Sequence, residues 1–248
     1  MSSVVHKHEA EPGIVQITME DRLHKNLFTE ALIEGLQSAF AEVDAMPSCK
    51  AVILTGYDSY FASGGTLDSL LSIQEGRTRF TDIHLYSLAL NCKVPVISAM
   101  QGHGIGGGFV LGLFSDIVIL SRESVYNTNF MKYGFTPGFG STCIVPRKLG
   151  TVLAQEMLLT AGNYRGAELQ ERGVPFPVKP RAEVLDHAYV LARQLAEKPR
   201  SSLVMLKDHL TASLRRELPG IIRQELAMHE STFHQEEVRQ RILSLFGQ

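Results

Sequence analysis

Residues 13–19 (GIVQITM) alternate apolar and polar, the period of a strand with one face covered. From Thr29 the period changes. Ile33, Leu36, Phe40 and Val43 recur at helical spacing and Thr29 is a good N-cap, which predicts a helix over 29–45. The run 51–55 (AVILT) is apolar throughout and of strand length, the mark of a strand covered on both faces. Helices are predicted over 67–73 and 80–91, then a strand over 94–101, a helix over 109–114 and a strand over 116–120. This alternation implies right-handed crossovers around a mostly parallel sheet, and so an α/β fold. From 149 onward the pattern is helical, over 149–160, 167–172, 181–196, 199–214 and 218–246. No repeat or low-complexity linker interrupts the chain. Residues 1–248 therefore read as one unit, about 1–195 forming the core and about 196–248 a helical lid or oligomerisation layer. The N-terminal stretch containing His6 and His8 reads as a frayed end with too few partners to hold a metal.

Composition narrows the class. The chain has 248 residues, 44% of them hydrophobic, with a formal net charge of -2. That length suits one large domain, and that charge implies no attraction to nucleic acid or to a membrane surface. Cys49, Cys92 and Cys143 are scattered with no metal-ligand spacing, as expected of free thiols in a reducing cytoplasm. No apolar run has the length of a membrane span, and no hydrophobic signal core opens the chain. A soluble, cytoplasmic protein is the expectation.

Two glycine-rich loops carry the candidate chemistry. One is Phe61-Ala62-Ser63-Gly64-Gly65-Thr66; the other runs from Gly102 to Gly108 between a strand and a helix. Glycine lets a backbone approach a ligand closely, and glycines opening a helix leave N–H groups free. Two such loops can aim two donors at one developing oxyanion. Two other readings remain open from the pattern alone. Glycine turns also serve simply to pack strands on helices. Gly102, Gly104 and Gly107 also spell the dinucleotide-binding pattern GxGxxG, but no acidic residue stands about twenty positions on, where that motif needs one.

Taken together, the segments resemble the crotonase (enoyl-CoA hydratase/isomerase) superfamily along nearly the whole chain. Residues 61–66 are similar to its first oxyanion loop, 96–108 (VISAMQGHGIGGG) to its strand-then-GGG segment, and 134–140 (GFTPGFG) to its G-x-x-P-G-x-G turn. Residues 115–118 and 149–174 match two further segments in order. The resemblance implies a ββα spiral core with C-terminal helices that form a homotrimer or a dimer of trimers. It also implies oxyanion donors at the Gly65 and Gly107 amides. The two glutamates that handle water in hydratases fall at Val110 and Phe130 here, so both carboxylates are absent. Adding water across a double bond needs an acid and a base within reach, and neither residue can serve. An enolate held by two amides still permits decarboxylation.

A narrower resemblance, to the crotonases of polyketide β-branching cassettes, rests on His24–Asn26 (HKN), residues 61–66, 100–110 and 129–140. It implies loss of CO2 from a 3-methylglutaconyl-type thioester on an acyl carrier protein, giving a 3-methylcrotonyl-type thioester. The substrate would ride on phosphopantetheine or CoA, with no further cofactor. That subfamily pairs a lysine after the first loop with a C-terminal histidine. His229 matches the histidine; Arg79, with Arg77 second, stands nearest the missing lysine. Arginine can grip a carboxylate but cannot give up a proton, so His229 or water must supply one. His24, Lys25, Ala62, Gly64, His84, Tyr86, Val110 and Phe130 are the expected binding residues, and His103 is expected to orient its loop. An enoyl isomerase or hydratase, a thioester hydrolase, and a non-catalytic carrier-binding homologue remain the alternatives.

Overall fold

The computed structural model describes residues 4–247. Two sheets organise it. The larger takes the order β1 (Val5–Glu11), β2 (Ile14–Met19), β3 (Ala51–Thr55), β5 (Val96–Met100), β7 (Ile117–Ser121), β10 (Val178–Lys179). The smaller takes the order β4 (Tyr60–Ala62), β6 (His103–Ile105), β8 (Val125–Asn127), β9 (Tyr164–Arg165). The β1–β2 and β8–β9 pairs are antiparallel and the rest parallel. In β3 and β5 every residue is buried, as an uninterrupted apolar run in a doubly covered parallel sheet requires.

The helices are α1 (Glu30–Ala45), α2 (Leu67–Gln74), α3 (Leu88–Asn91), α4 (Gly107–Leu113), α5 (Ser141–Leu149), α6 (Thr151–Thr160), α7 (Gly166–Glu171), α8 (Arg181–Ala196), α9 (Arg200–Thr232) and α10 (Glu236–Leu245). Thr29 caps α1 as expected, its hydroxyl accepting the Leu32 N–H. On one face of the large sheet, Val184, Ala188 and Ala192 of α8 pack on Ile53, Ile97 and Ile119. The other face and the loops beyond it share a second, larger core.

The large-sheet strands β3, β5 and β7 are each followed by a small-sheet strand, β4, β6 and β8, and the glycine loops that follow β4 and β6 meet. Two interior polar networks brace this arrangement. Buried Lys207 of α9 reaches Asp116 Oδ2 at 2.8 Å and the carbonyls of Ala89 and Val94. Asn26 Nδ2 donates to the carbonyls of Met19 and Phe61, tying β2 to the first glycine loop.

Four expectations need correction. Residues 5–11 are not frayed: they form β1, paired along its length with β2, so His6 and His8 are strand residues. Residues 80–91 are not one helix but a 3-10 turn (Phe80–Asp82), a bend and the short α3. Residues 141–148 of α5 carried no helical expectation, and the helix expected to start at Leu149 starts instead at Thr151; Gly150, at φ +81°, separates α5 from α6. The helices expected at 199–214 and 218–246 are instead α9, which runs unbroken through Pro219, and α10. Pro219 is exposed, and its ring leaves one carbonyl of the preceding turn without the usual N–H partner.

Candidate active site

The first glycine loop follows β4, and its conformation needs glycine at position 64, where φ is +80°. A Cβ there would lie 3.0 Å from the Ile105 carbonyl oxygen and 3.4 Å from the Gly107 amide nitrogen. The two loops are thus in contact across Gly64 and Gly107. Gly108 lies closer still, for its missing Cβ would fall 2.1 Å from the Ala62 carbonyl oxygen. Asn127 fixes the second loop: the Gly106 N–H donates to its carbonyl at 3.1 Å and to its Oδ1 at 3.0 Å. That leaves Gly107 as the first residue of α4, with the N–H that a helix start cannot satisfy. Among the described residues, neither the Gly65 nor the Gly107 N–H donates to a protein acceptor.

Gly64, Gly65 and Gly107 open into a cavity of about 720 Å³, counting its mouth. Its wall is mainly aromatic and aliphatic: Phe28, Leu70, Ile73, Phe80, Phe130, Tyr133, Phe135, Phe139 and Phe233. No Asp or Glu lines it. Phe130 therefore stands in the wall, as expected. Val110 and Ala62 are fully buried behind the loops and do not face the cavity.

His229 is a buried titratable side chain in this wall. It is 5% exposed, and Phe80, Phe135 and Phe233 surround it at ring-centroid distances of 4.8, 5.8 and 5.0 Å. Burial pushes its imidazole down to about 4, only partly offset by the nearby Thr136 carbonyl and the Glu230 charge, so the free protein holds it neutral at pH 7. That carbonyl is near, but neither ring nitrogen makes a hydrogen bond of good geometry. A buried, unpartnered imidazole facing a cavity is a group waiting for a ligand.

Sequence patterns gave no sign of Glu225, one turn before His229 on α9. It is wholly buried and accepts from the Gly140 N–H at 2.7 Å, the Thr142 N–H at 2.9 Å and the Thr142 hydroxyl at 2.6 Å. Burial raises its carboxyl, against the lowering effect of those donors. Glu225 thereby clamps the 138–142 turn to the helix that carries His229. A buried glutamate on a helix looks like a solvated one in a sequence, so no signal marked it.

Arg79 does not line the main cavity. Its side chain is 61% exposed and its Nε lies 3.4 Å from Glu230 Oε1. It borders a smaller polar chamber next door, with Glu230, His234 and the other side of His229. Arg77 pairs with Glu75 at the surface. His84 is exposed and outside the cavity; Tyr86 touches it only indirectly, its ring packing on Phe139 at 5.3 Å.

A wider channel leads to the cavity and shares Ser63, Asn129, Tyr133 and Phe246 with it. His24, Lys25 and Lys132 line it, and among the described residues no Asp or Glu does. His24 Nδ1 sits 2.9 Å from buried Asp21, and Lys25 lies over the Tyr60 ring at 5.8 Å. His103 accepts the Val125 N–H at its Nδ1, so it holds its loop to β8, and burial lowers its pKa.

Residues 9–246 match the family Enoyl-CoA hydratase/isomerase. The chain belongs to that family. Within the family it is 66% identical to the bacillaene synthase decarboxylase PksI of Bacillus subtilis, over 99% of this chain and 98% of that one. It is 27% identical to the mitochondrial enoyl-CoA hydratase of Pongo abelii, over 89% and 76% of the two chains. A structure from a dehydratase/decarboxylase enzyme couple involved in polyketide β-branching superposes with a TM-score of 0.98, at 66% identity, over 99% of this chain and all of that one. The decarboxylase domain of CurF from Lyngbya majuscula superposes at 0.95, with 47% identity and the same coverage. Among the described residues no helix is long and apolar enough to cross a membrane, and no cluster of side chains could hold a metal ion.

Proposed function

We propose that this protein is a decarboxylase of polyketide β-branching, taking CO2 from a 3-methylglutaconyl-type thioester to leave a 3-methylcrotonyl-type thioester. The observation that carries this reading is a cavity lined by two free amides and an unpartnered histidine, with no Asp or Glu among its described lining residues. The close decarboxylase relative supports it.

In the reaction the bond between the carboxyl carbon and its methylene breaks. Its electron pair spreads through the adjacent double bond onto the thioester oxygen. The Gly65 and Gly107 N–H groups stabilise that oxygen where water is excluded, so their dipoles act at low dielectric. The dienolate then takes a proton at the former methylene carbon. His229 faces the departing carboxylate or the carbanion. Arg79 reaches the carboxylate only by leaving Glu230, so we assign it a secondary, steering role. Hydration is disfavoured because no acid–base pair lines the wall.

The channel supports delivery by a phosphopantetheine arm. Its Lys25, Lys132 and His24 suit the phosphate of an acyl carrier protein's prosthetic group or of CoA. The C-terminal helices are proposed to build a homotrimer or a dimer of trimers, and the substrate's carrier arm to be the sole auxiliary group needed. The test is mass spectrometry of a carrier loaded with the 3-methylglutaconyl group. Loss of the mass of CO2 supports the proposal; gain of the mass of water restores the hydratase reading.

A further inference from the structure

Four side chains line both the aromatic cavity and the channel: Ser63, Asn129, Tyr133 and Phe246. A thioester whose oxygen lies at the Gly65 and Gly107 amides keeps its acyl chain in the cavity and sends its sulfur out past these four. Asn129 opens the 3-10 turn Asn129–Tyr133 that follows β8. Its neighbours in sequence are committed. Asn127 Oδ1 accepts the Gly106 N–H, and its Nδ2 donates to Asn163 Oδ1 at 2.6 Å. The Thr128 hydroxyl donates to the Met157 carbonyl at 2.8 Å. These bonds fix the backbone that carries Asn129, yet its own half-buried carboxamide has no hydrogen-bond partner among the described residues. The group packs on the second glycine loop. A Cβ on Gly106 would fall on Asn129 Oδ1, with Nδ2 3.9 Å away. Nδ2 is therefore the end turned away from the loop, beside the residue that precedes the Gly107 donor.

An arm of the phosphopantetheine type carries its first amide two methylenes beyond the sulfur. Entering the channel strips that amide of water, and a polar group left unpaired there is costly. The other three junction residues offer little in exchange. The Ser63 hydroxyl hydrogen is spent on the Lys25 carbonyl at 2.6 Å, the Tyr133 ring stacks on Phe135, and Phe246 is apolar. Asn129 alone carries a separate donor and acceptor in one planar group, the complement of a secondary amide. We propose that Asn129 reads the arm: its Nδ2 donates to the carbonyl of the first amide beyond the sulfur and so holds the thioester in register with the Gly65 and Gly107 amides. The preferred substrate class is thus a thioester of an N-acylated cysteamine. This deepens the carrier-arm reading above and rests on it.

The experiment compares two 3-methylglutaconyl thioesters. One is that of N-acetylcysteamine, which keeps the first amide; the other is that of pentane-1-thiol, whose chain has the same length and no amide. The unaltered protein should favour the amide thioester in kcat/KM for CO2 release. Asn129→Leu keeps the bulk beside Gly106 but has no donor, and it should lose roughly tenfold of that preference, the worth of one hydrogen bond. Comparing the two substrates cancels any general damage to the fold or to the oxyanion donors. A preference that survives Asn129→Leu means that the side chain only packs, and it overturns the proposal, as does no preference in the unaltered protein. A second measurement does not depend on turnover. The glutaryl thioesters of the same two thiols lack the double bond and stay intact, and calorimetry should show the same loss of preference in Kd. A binding preference untouched by Asn129→Leu overturns the proposal whatever the turnover. Absence of CO2 release from the carrier-bound substrate would instead strike the decarboxylase reading, and the binding comparison would still decide the role of Asn129.

Discussion

Gly138 and His229 are in contact: a Cβ on Gly138 would lie 2.8 Å from His229 Nε2 and 3.1 Å from Cε1. The G-x-x-P-G-x-G turn therefore forms one side of the slot that holds the imidazole. Gly138→Ala must push the ring or the turn aside. Overpacking of this kind costs about 1–3 kcal/mol. The expected outcome is a lower melting temperature together with a fall in kcat for CO2 release, measured by calorimetry and steady-state kinetics.

Gly64→Ala tests the meeting of the two glycine loops. Its φ of +80° strains any side chain, and its Cβ would press on the Ile105 carbonyl and the Gly107 amide. Displacing one oxyanion donor costs about 10²–10³ in turnover. CO2 release should fall by that amount while thioester binding, followed by fluorescence, changes little.

Glu225→Ala leaves the Gly140 and Thr142 donors buried without an acceptor. Each unsatisfied group costs about 1–3 kcal/mol, so a loss of several kcal/mol is expected in urea denaturation. Glu225→Gln keeps one acceptor oxygen and should lose less.

Stability should depend on His229 below neutral pH. Its folded value of about 4 lies below its ordinary 6.5. Between those values the unfolded chain binds a proton that the fold refuses. The contribution is fully present above pH 6.5 and is lost as pH falls through 4, in total roughly 3 kcal/mol. His229→Gln should flatten that part of the stability curve, measured by denaturation at a series of pH values. An unchanged slope would mean the ring is hydrated.

Much of this was legible in the chain. An all-apolar run such as 51–55 has one comfortable place, inside a parallel sheet, and β3 occupies it. The contact of the glycine loops was legible because glycine alone tolerates the φ of +80° at position 64 and the close approach at 108, and the expected apolar residue at 130 lines the cavity, whereas Val110 lies outside it. The β-branching decarboxylase expectation agrees with the 66% identical relative. What stayed hidden depends on tertiary context. Lys7, exposed His6 and Glu9 make β1 look like a solvated tail, yet its backbone is held by β2. Residues 80–91 mimic a helical period but break into a 3-10 turn and the short α3, and Arg79, just before them, pairs with Glu230 outside the cavity. Glu225 and Lys207 are charged helix residues whose burial no local pattern announces.

The central claim is that two amides stabilise a dienolate in a cavity without water-handling acids. Reacting a carrier-bound 3-methylglutaconyl thioester in H2¹⁸O separates the two chemistries in one measurement. The claim predicts CO2 release and an unsaturated acyl product free of ¹⁸O. An ¹⁸O-labelled hydroxyacyl product that retains its carboxylate would contradict it.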